Sequence, residues 1–157
     1  SVVQLRGRRT VNIALERRYR FSASHLYRRA AWTEEKNRRH FGRCANLPGH
    51  GHNYRLSVRV EGPIDPETGF LVDLVELDRI VRERVVDLVD HQHLNVAIPE
   101  FGEGREIPTS ENLVRWIHRQ LAQEIPLPAE LTWIRLEEDE DLAASWQKYS
   151  GPNPTDL

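Results

Sequence analysis

The sequence lacks the features that mark secreted and membrane proteins. Its 157 residues include a single cysteine, and one cysteine cannot form a disulfide within the chain. No apolar run approaches the length that spans a bilayer, and no signal-peptide pattern opens the chain. We therefore expect a cytoplasmic protein with no membrane partner.

A strong charge of either sign is also lacking. The chain has 22 basic and 24 acidic side chains, which gives a formal net charge of −2. This balance creates no global positive field, so no nucleic-acid partner is expected. Arginines do concentrate near the start of the chain, and the solvated face of a strand is the expected position of Arg6, Arg8, Arg9, Arg17, Arg18 and Arg20.

Internal repeats, low-complexity tracts and linkers are missing as well. A chain of this length can bury the core of one domain but not of two. We therefore predict a single domain over residues 1–157. The tail from Tyr149 is rich in turn-forming residues and is predicted to fray.

Two stretches alternate apolar and polar residues, as strands with one buried face do. In residues 11–25 the side chains of the inward parity are Tyr19, Phe21, Ala23 and His25. In the second stretch they are His50, His52, Tyr54, Leu56, Val58 and Val60. The two strands therefore present three inward-facing histidines, although the sequence does not show that these histidines meet.

The remaining pattern predicts helices between strands. A short helix capped by Thr33 precedes the second strand, and a turn after that strand leads into a short strand, FLVDL (70–74). Longer helices begin after Asp73 and at Thr109 or Ser110. Two closing strands, LTWIRLEED and LAASWQ, complete an α+β fold with an antiparallel sheet covered on one face.

The His50-Gly51-His52 motif carries the strongest chemical signal. Residues two apart on a strand project from the same face, so both imidazoles can reach one ion, and the glycine removes a side chain from the crowded opposite side. Neutral imidazoles favour zinc among the common metals. With His25 as the third ligand, the fourth tetrahedral position stays open, which is the pattern of a catalytic zinc site.

Cys44 lies six residues ahead of His50 and permits two interpretations. As a fourth ligand, its thiolate would close the zinc site, and the metal would then serve folding. As a free thiol beside the zinc, it would have a lowered pKa and would act as a base. The sequence alone leaves both interpretations open.

Two further groups of polar residues carry chemistry. Asp90 and His91 follow the first long helix, where they either form a base with its orienting partner or complement the carbonyl end of the helix. The run RLEEDED (135–141) ends a strand. A carboxylate of this run inside a pocket would accept hydrogen bonds from a guanidine-like edge of a ligand.

In their order along the chain, these motifs resemble the 6-pyruvoyltetrahydropterin synthase family, which includes the bacterial 6-carboxytetrahydropterin synthases. The resemblance covers most of the chain from Tyr19 to Trp146. Its segments are FSASH (21–25), CANLPGHGHNY (44–54), LVDHQHLN (88–95), PTSENL (108–113) and IRLEED (134–139).

The resemblance implies a role for residues in each segment. The zinc ligands would be His25, His50 and His52. The catalytic groups would be Cys44, Asp90 and His91. The pterin ring would be held by Glu137, with its pocket lined by Thr109 and Ser110. Glu138 is the alternative anchor, because the Glu-Thr pair usual in the family is missing here.

The fold that the resemblance implies is the tunnelling fold, a four-stranded antiparallel sheet with two helices on one face. Trimers of such chains close a barrel, and two trimers stack into a homohexamer with active sites between subunits. Asp90 and His91 would then act on the substrate of a neighbouring subunit.

The implied activity is that of a zinc-dependent lyase acting on 7,8-dihydroneopterin triphosphate. We favour the pyruvoyl reaction of tetrahydrobiopterin biosynthesis, because the five residues between Cys44 and His50 resemble the longer gap of the animal enzymes. The first alternative is the carboxy reaction of queuosine biosynthesis, which releases acetaldehyde. The second is a non-catalytic binding domain stabilised by zinc, with Cys44 as the fourth ligand.

Overall fold

The structure is a computed structural model that describes residues 13–148. The predicted fraying of the tail from Tyr149, and the first three of the clustered arginines, lie outside these residues. The strands are β1 (Ile13–His25), β2 (His50–Gly62), β3 (Gln92–His93), β4 (Glu130–Glu137) and β5 (Ala143–Gln147). The helices are α1 (Glu34–Phe41), α2 (Leu74–Val81), α3 (Asp87–Val89), α4 (Leu94–Ala97) and α5 (Ser110–Leu121), and α2 continues into α3 through a π-helical turn, Arg82–Val86.

The strands form one mixed sheet in the order β3-β1-β2-β4-β5. The pairs β1–β2, β2–β4 and β4–β5 are antiparallel, as predicted. The prediction of four strands is incomplete, because β3 adds a fifth strand parallel to β1. A strand of two residues is too short for any alternation of polar and apolar residues to be visible in the sequence.

The hydrophobic core lies between one face of the sheet and the helices. The inward parity predicted for β1 and β2 is confirmed, and Leu56, Val58 and Val60 are fully buried. In the same core cluster, α2 and α5 bury Leu77, Ile80, Leu113 and Ile117. The sheet is therefore covered on one face, and the α+β class is confirmed.

Side-chain caps fix where the helices begin. Thr33, Asp73 and Thr109 are N-caps whose side chains accept hydrogen bonds from backbone N–H groups of the first turn. The predicted strand FLVDL is wrong, because Asp73 inside it caps α2 and residues 70–73 form bends and loop. Within residues 13–148, no helix combines the length and the apolar character needed to cross a bilayer.

Candidate metal centre

The histidine cluster forms where the end of β1 meets the beginning of β2. The antiparallel register places His25 directly opposite His50, and Ala23 opposite His52. The ring centroids of the three histidines are 4.9 Å apart in every pair. The sequence predicted the common face of these side chains, and the register between β1 and β2 brings them together.

A glycine allows this close approach, but it is not the glycine that the sequence suggested. Gly49 has a φ of 116°, and a Cβ at this position would overlap the backbone carbonyl of His25. A Cβ on Gly51 would make only ordinary contacts with the backbone of Ala23. The backbone therefore requires glycine at the residue before the motif rather than between its two histidines.

The environment of His25 keeps its imidazole neutral. The residue is completely buried. Burial, reinforced by the neighbouring His52 and His50, lowers the pKa of His25 to about 3. A neutral imidazole is the form that binds a metal ion, so the site presents this ligand in the required state near pH 7.

The donor atoms within residues 13–148 form two overlapping sets that could hold a cation. One set contains His25, Cys44 and His50, and the other contains His25, His52 and Glu138. In each set the ligand atoms lie within 4.8 Å of one another. Nε2 of His52 is buried without a hydrogen-bond partner among the described residues. An unpartnered buried nitrogen beside other nitrogen and sulfur donors fits a bound zinc ion.

Cys44 lies beside the histidines, as predicted. Its Sγ is 3.5 Å from Nε2 of His50. The surrounding protein groups raise the pKa of the thiol, first through burial and then through the negative charge of Glu138. A bound divalent cation acts in the opposite direction, so the metal rather than the protein would have to generate the thiolate.

Glu138, rather than Glu137, lies next to the histidines. Oε1 of Glu138 is 3.6 Å from Nδ1 of His25 and 3.8 Å from Nε2 of His52. It accepts a hydrogen bond of 3.1 Å from the hydroxyl of Tyr27. Glu138 is buried. Glu137 lies on the opposite face of β4, where its carboxylate is 3.7 Å from the guanidinium of Arg135. The alternation of β4 identifies the inward carboxylate, because Glu138 shares the parity of the buried Leu136.

Tyr27 is not among the candidate residues that the sequence identified. It lies two residues beyond the end of β1 and shares the parity of His25, so an extension of the strand pattern would have placed it on the same face. Its ring tilts over His25 with the centroids 4.3 Å apart, and its backbone N–H donates to the carbonyl of Cys44. This backbone hydrogen bond holds the segment that contains the thiol against the end of β1.

Asp90 and His91 lie at the outer edge of β1 and belong to neither set of metal ligands. Oδ1 of Asp90 accepts a 2.9 Å hydrogen bond from the backbone N–H of Ser22. His91 adopts a left-handed φ of 57°, and its side chain is 83% exposed. His91 and His52 both line an open pocket of about 390 Å³ at this edge of the sheet, and His25, His50 and Cys44 are not among its lining residues.

Thr109 and Ser110 lie at the beginning of α5. The Thr109 hydroxyl accepts a hydrogen bond from the backbone N–H of Asn112. Ser110 is buried, and its hydroxyl has no partner among the described residues. In residues 13–148, no hydrogen bond or ion pair joins either side chain to the histidine cluster, so their predicted part in a pterin pocket stays a prediction.

Comparisons with known proteins agree with the resemblance seen in the sequence. The family model described as 6-pyruvoyl tetrahydropterin synthase matches residues 14–149. The 6-pyruvoyl tetrahydrobiopterin synthase of Homo sapiens is 36% identical over 121 residues, which cover 77% of this chain and 82% of the human protein. A protein of Archaeoglobus fulgidus, provisionally named 6-carboxy-5,6,7,8-tetrahydropterin synthase, is 35% identical over 108 residues, which cover 64% of this chain and 84% of that protein.

A solved structure shares the fold over nearly its whole length. The structure of Caenorhabditis elegans 6-pyruvoyl tetrahydropterin synthase has a TM-score of 0.80 and 29% sequence identity to this chain. The superposition covers 89% of this chain and 98% of the nematode protein. The arrangement of sheet and helices around the histidine cluster is therefore the arrangement of a known enzyme fold.

Proposed function

The chain belongs to the 6-pyruvoyl tetrahydropterin synthase family, and we propose that it is a zinc-dependent lyase that converts 7,8-dihydroneopterin triphosphate to 6-pyruvoyltetrahydropterin with loss of triphosphate. The observation that carries this proposal is the cluster of His25, His50 and His52 with Cys44 at its side. This set of donors supplies both a metal site and a separate proton carrier within one domain.

The three histidines would hold the zinc ion. Their support is the neutral state of His25 and the unpartnered Nε2 of His52. When bound, zinc polarises the side-chain oxygens of the substrate and acidifies the protons on the adjacent carbons. The protein's own task is then to remove a proton from one carbon and to deliver it to another site on the substrate.

Cys44 would be the group that moves this proton. Its partly exposed side chain borders the cluster, so a substrate held at the metal would be within its reach. Asp90 and His91 would complete the proton transfer as relay or acid. Their position at the outer edge of β1 supports their action on a neighbouring subunit's substrate.

We further propose that three chains close a barrel and that two such trimers form a hexamer. Among the described residues, β5 forms one edge of the sheet. β1 forms the other edge over most of its length, because the short strand β3 covers it at Ala23 and Ser24 alone. Unpaired strand edges can join edge to edge with the edges of other copies. We also propose that the chain is a single domain and that it is cytoplasmic. The location is supported by the single cysteine, because secreted proteins commonly carry disulfides and one cysteine cannot form a disulfide within the chain.

Glu138 would anchor the pterin ring in place of Glu137. A buried carboxylate can accept two parallel hydrogen bonds from the adjacent N–H groups of the ring, and burial strengthens such charge-assisted bonds. Tyr27 restrains the Glu138 carboxylate through Oε1, which supports a fixed orientation towards the ligand. Glu137 has no such position, because its side chain lies near Arg135 on the opposite face of the sheet.

The two carboxylates give a matched pair of variants. Glu138→Gln should raise KM roughly tenfold to a hundredfold, because hydrogen bonds to a charged group contribute about 1.5–3 kcal/mol. Glu137→Gln should leave KM within about a factor of two, since surface substitutions away from a site have small effects. Steady-state kinetics with zinc content measured on the same samples checks the prediction. The reverse order of the two KM values would make Glu137 the anchor.

The product of the reaction tests the proposed function directly. Incubation of the zinc-loaded protein with 7,8-dihydroneopterin triphosphate should release triphosphate and give a product with the mass of 6-pyruvoyltetrahydropterin. One hydroxyl carbon becomes a carbonyl as the ring gains two hydrogens. The other becomes a carbonyl as triphosphate leaves the terminal carbon, which ends as a methyl group, so no external oxidant is needed. Acetaldehyde in the mixture would instead identify the carboxy reaction. Zinc binding without any triphosphate release would favour the non-catalytic domain.

A further inference from the structure

The two ring nitrogens of His25 face different partners. Nε2 lies 3.1 Å from Nε2 of His50, on the side of the cluster that contains Cys44. Nδ1 lies 3.0 Å from the hydroxyl of Tyr54. A neutral imidazole carries one N–H and one lone pair. If Nε2, which faces the cluster, binds a metal ion, Nδ1 carries the proton and needs a hydrogen-bond acceptor.

Tyr54 is held rigidly in this position. It is 1% exposed, and it lies directly opposite Phe21 in the register of β1 and β2. The two rings stack with their centroids 4.9 Å apart and an angle of 16° between their planes. The phenol therefore cannot turn away from His25 without disrupting the packed face of the sheet.

Glu138 does not compete for Nδ1 in this arrangement. Its Oε1 is 3.6 Å from Nδ1 of His25, which is beyond hydrogen-bonding distance. The same oxygen accepts the hydrogen bond from Tyr27. Tyr54 is thus the side chain that satisfies Nδ1 of the fully buried His25.

We propose that Tyr54 is a positioning residue that accepts the Nδ1 proton of His25 and thereby directs the Nε2 lone pair of His25 to the metal. The inference rests on the metal-binding role given to His25 in the proposed function. A phenol oxygen has a lone pair that can accept a hydrogen bond, and that of Tyr54 lies 3.0 Å from Nδ1. Histidine ligands in metal proteins are commonly oriented by such a partner on the second nitrogen.

Removal of the Tyr54 hydroxyl should weaken zinc binding while the fold persists. In Tyr54→Phe the ring still stacks on Phe21, but Nδ1 loses its partner and the two tautomers of His25 compete. Loss of an outer-shell partner typically lowers metal affinity 10–100-fold. Competition with a chromophoric chelator should therefore give a zinc Kd that is roughly 10–100 times higher.

Tyr19→Phe is the matched control. Tyr19 is also buried, on the same strand as His25, and its hydroxyl donates a 2.7 Å hydrogen bond to Asp78. This variant loses a buried phenol hydroxyl away from the cluster, so its zinc Kd should stay within about a factor of two of the wild-type value. Equal zinc affinity in Tyr54→Phe and the wild type would overturn the inference.

A second measurement tests the wild-type protein and does not depend on whether the variant folds. Two-dimensional NMR of ¹⁵N-labelled, zinc-loaded protein reports which imidazole nitrogen carries the proton. We expect a proton on Nδ1 of His25 and the metal on Nε2, and the reverse assignment would overturn the inference. Neither readout requires turnover. Tight zinc binding without product would therefore refute the proposed lyase and leave the role of Tyr54 standing.

Discussion

Cys44→Ala is expected to abolish triphosphate release while the chain still binds about one zinc ion. A positioned general base contributes roughly two to four orders of magnitude to a rate, and Cys44 is the proposed base beside the histidines. The substitution removes a sulfur 3.5 Å from Nε2 of His50 and leaves all three imidazoles in place. Zinc content by atomic absorption and a phosphate-release assay measure both properties on the same sample.

Cys44→Ser provides the matched comparison for this prediction. It keeps a small polar side chain at the site, but a hydroxyl does not ionise near neutral pH as a thiolate beside a cation does. Both variants should therefore be inactive and zinc-bound. Near-normal turnover in Cys44→Ala would exclude Cys44 as the base.

Loss of zinc in Cys44→Ala, the opposite of the expected result, would also be informative, because the two donor sets overlap. Cys44 belongs to one of these sets together with His25 and His50, so a thiolate ligand is geometrically accessible. If Cys44 closes the site, Cys44→Ala should lose zinc together with activity. Cobalt substitution distinguishes the two states, because a thiolate ligand gives a charge-transfer band that a site of imidazoles alone does not give.

The sequence predicted most of the cluster because strand parity is a strong constraint. A side chain two residues from a buried neighbour lies on the same face, and this rule placed His25, His50 and His52 inward before any contact was known. Tyr54 shares the same parity, so the rule also identified it as inward. Its bond to His25 could not be predicted, since it depends on the register that places Phe21 opposite Tyr54.

The remaining features depend on contacts between segments far apart in the chain. Glu138 meets the histidines only after β4 pairs with β2, and the alternation of β4 could have favoured it over Glu137. Gly49 is required because the loop before β2 passes the carbonyl of His25. The position of Asp90 at the edge of β1 follows from its hydrogen bond to Ser22, which no local pattern encodes.

His50→Ala is expected to cost more zinc affinity than any variant in the outer shell. It removes a nitrogen ligand outright, so the Kd should rise by more than the roughly 10–100-fold that follows the loss of an orienting partner. His40→Ala is the control, because His40 is exposed on α1 and its ring contacts Trp32 rather than the cluster. Zinc affinity in His50→Ala equal to that of the wild type would refute the three-histidine site.

The comparison of His50→Ala with His52→Ala separates the possible coordination modes. His50 lies in the set that contains Cys44, and His52 lies in the set that contains Glu138. An ion bound by all three imidazoles requires both variants to lose zinc to a similar extent. Loss in His50→Ala alone would indicate a site formed by His25, His50 and the Cys44 thiolate, whereas loss in His52→Ala alone would indicate a site formed by His25, His52 and Glu138. The pattern of the two affinities therefore distinguishes a site of three imidazoles from the two mixed sets, and the zinc content of Cys44→Ala then decides whether the thiolate is an additional ligand.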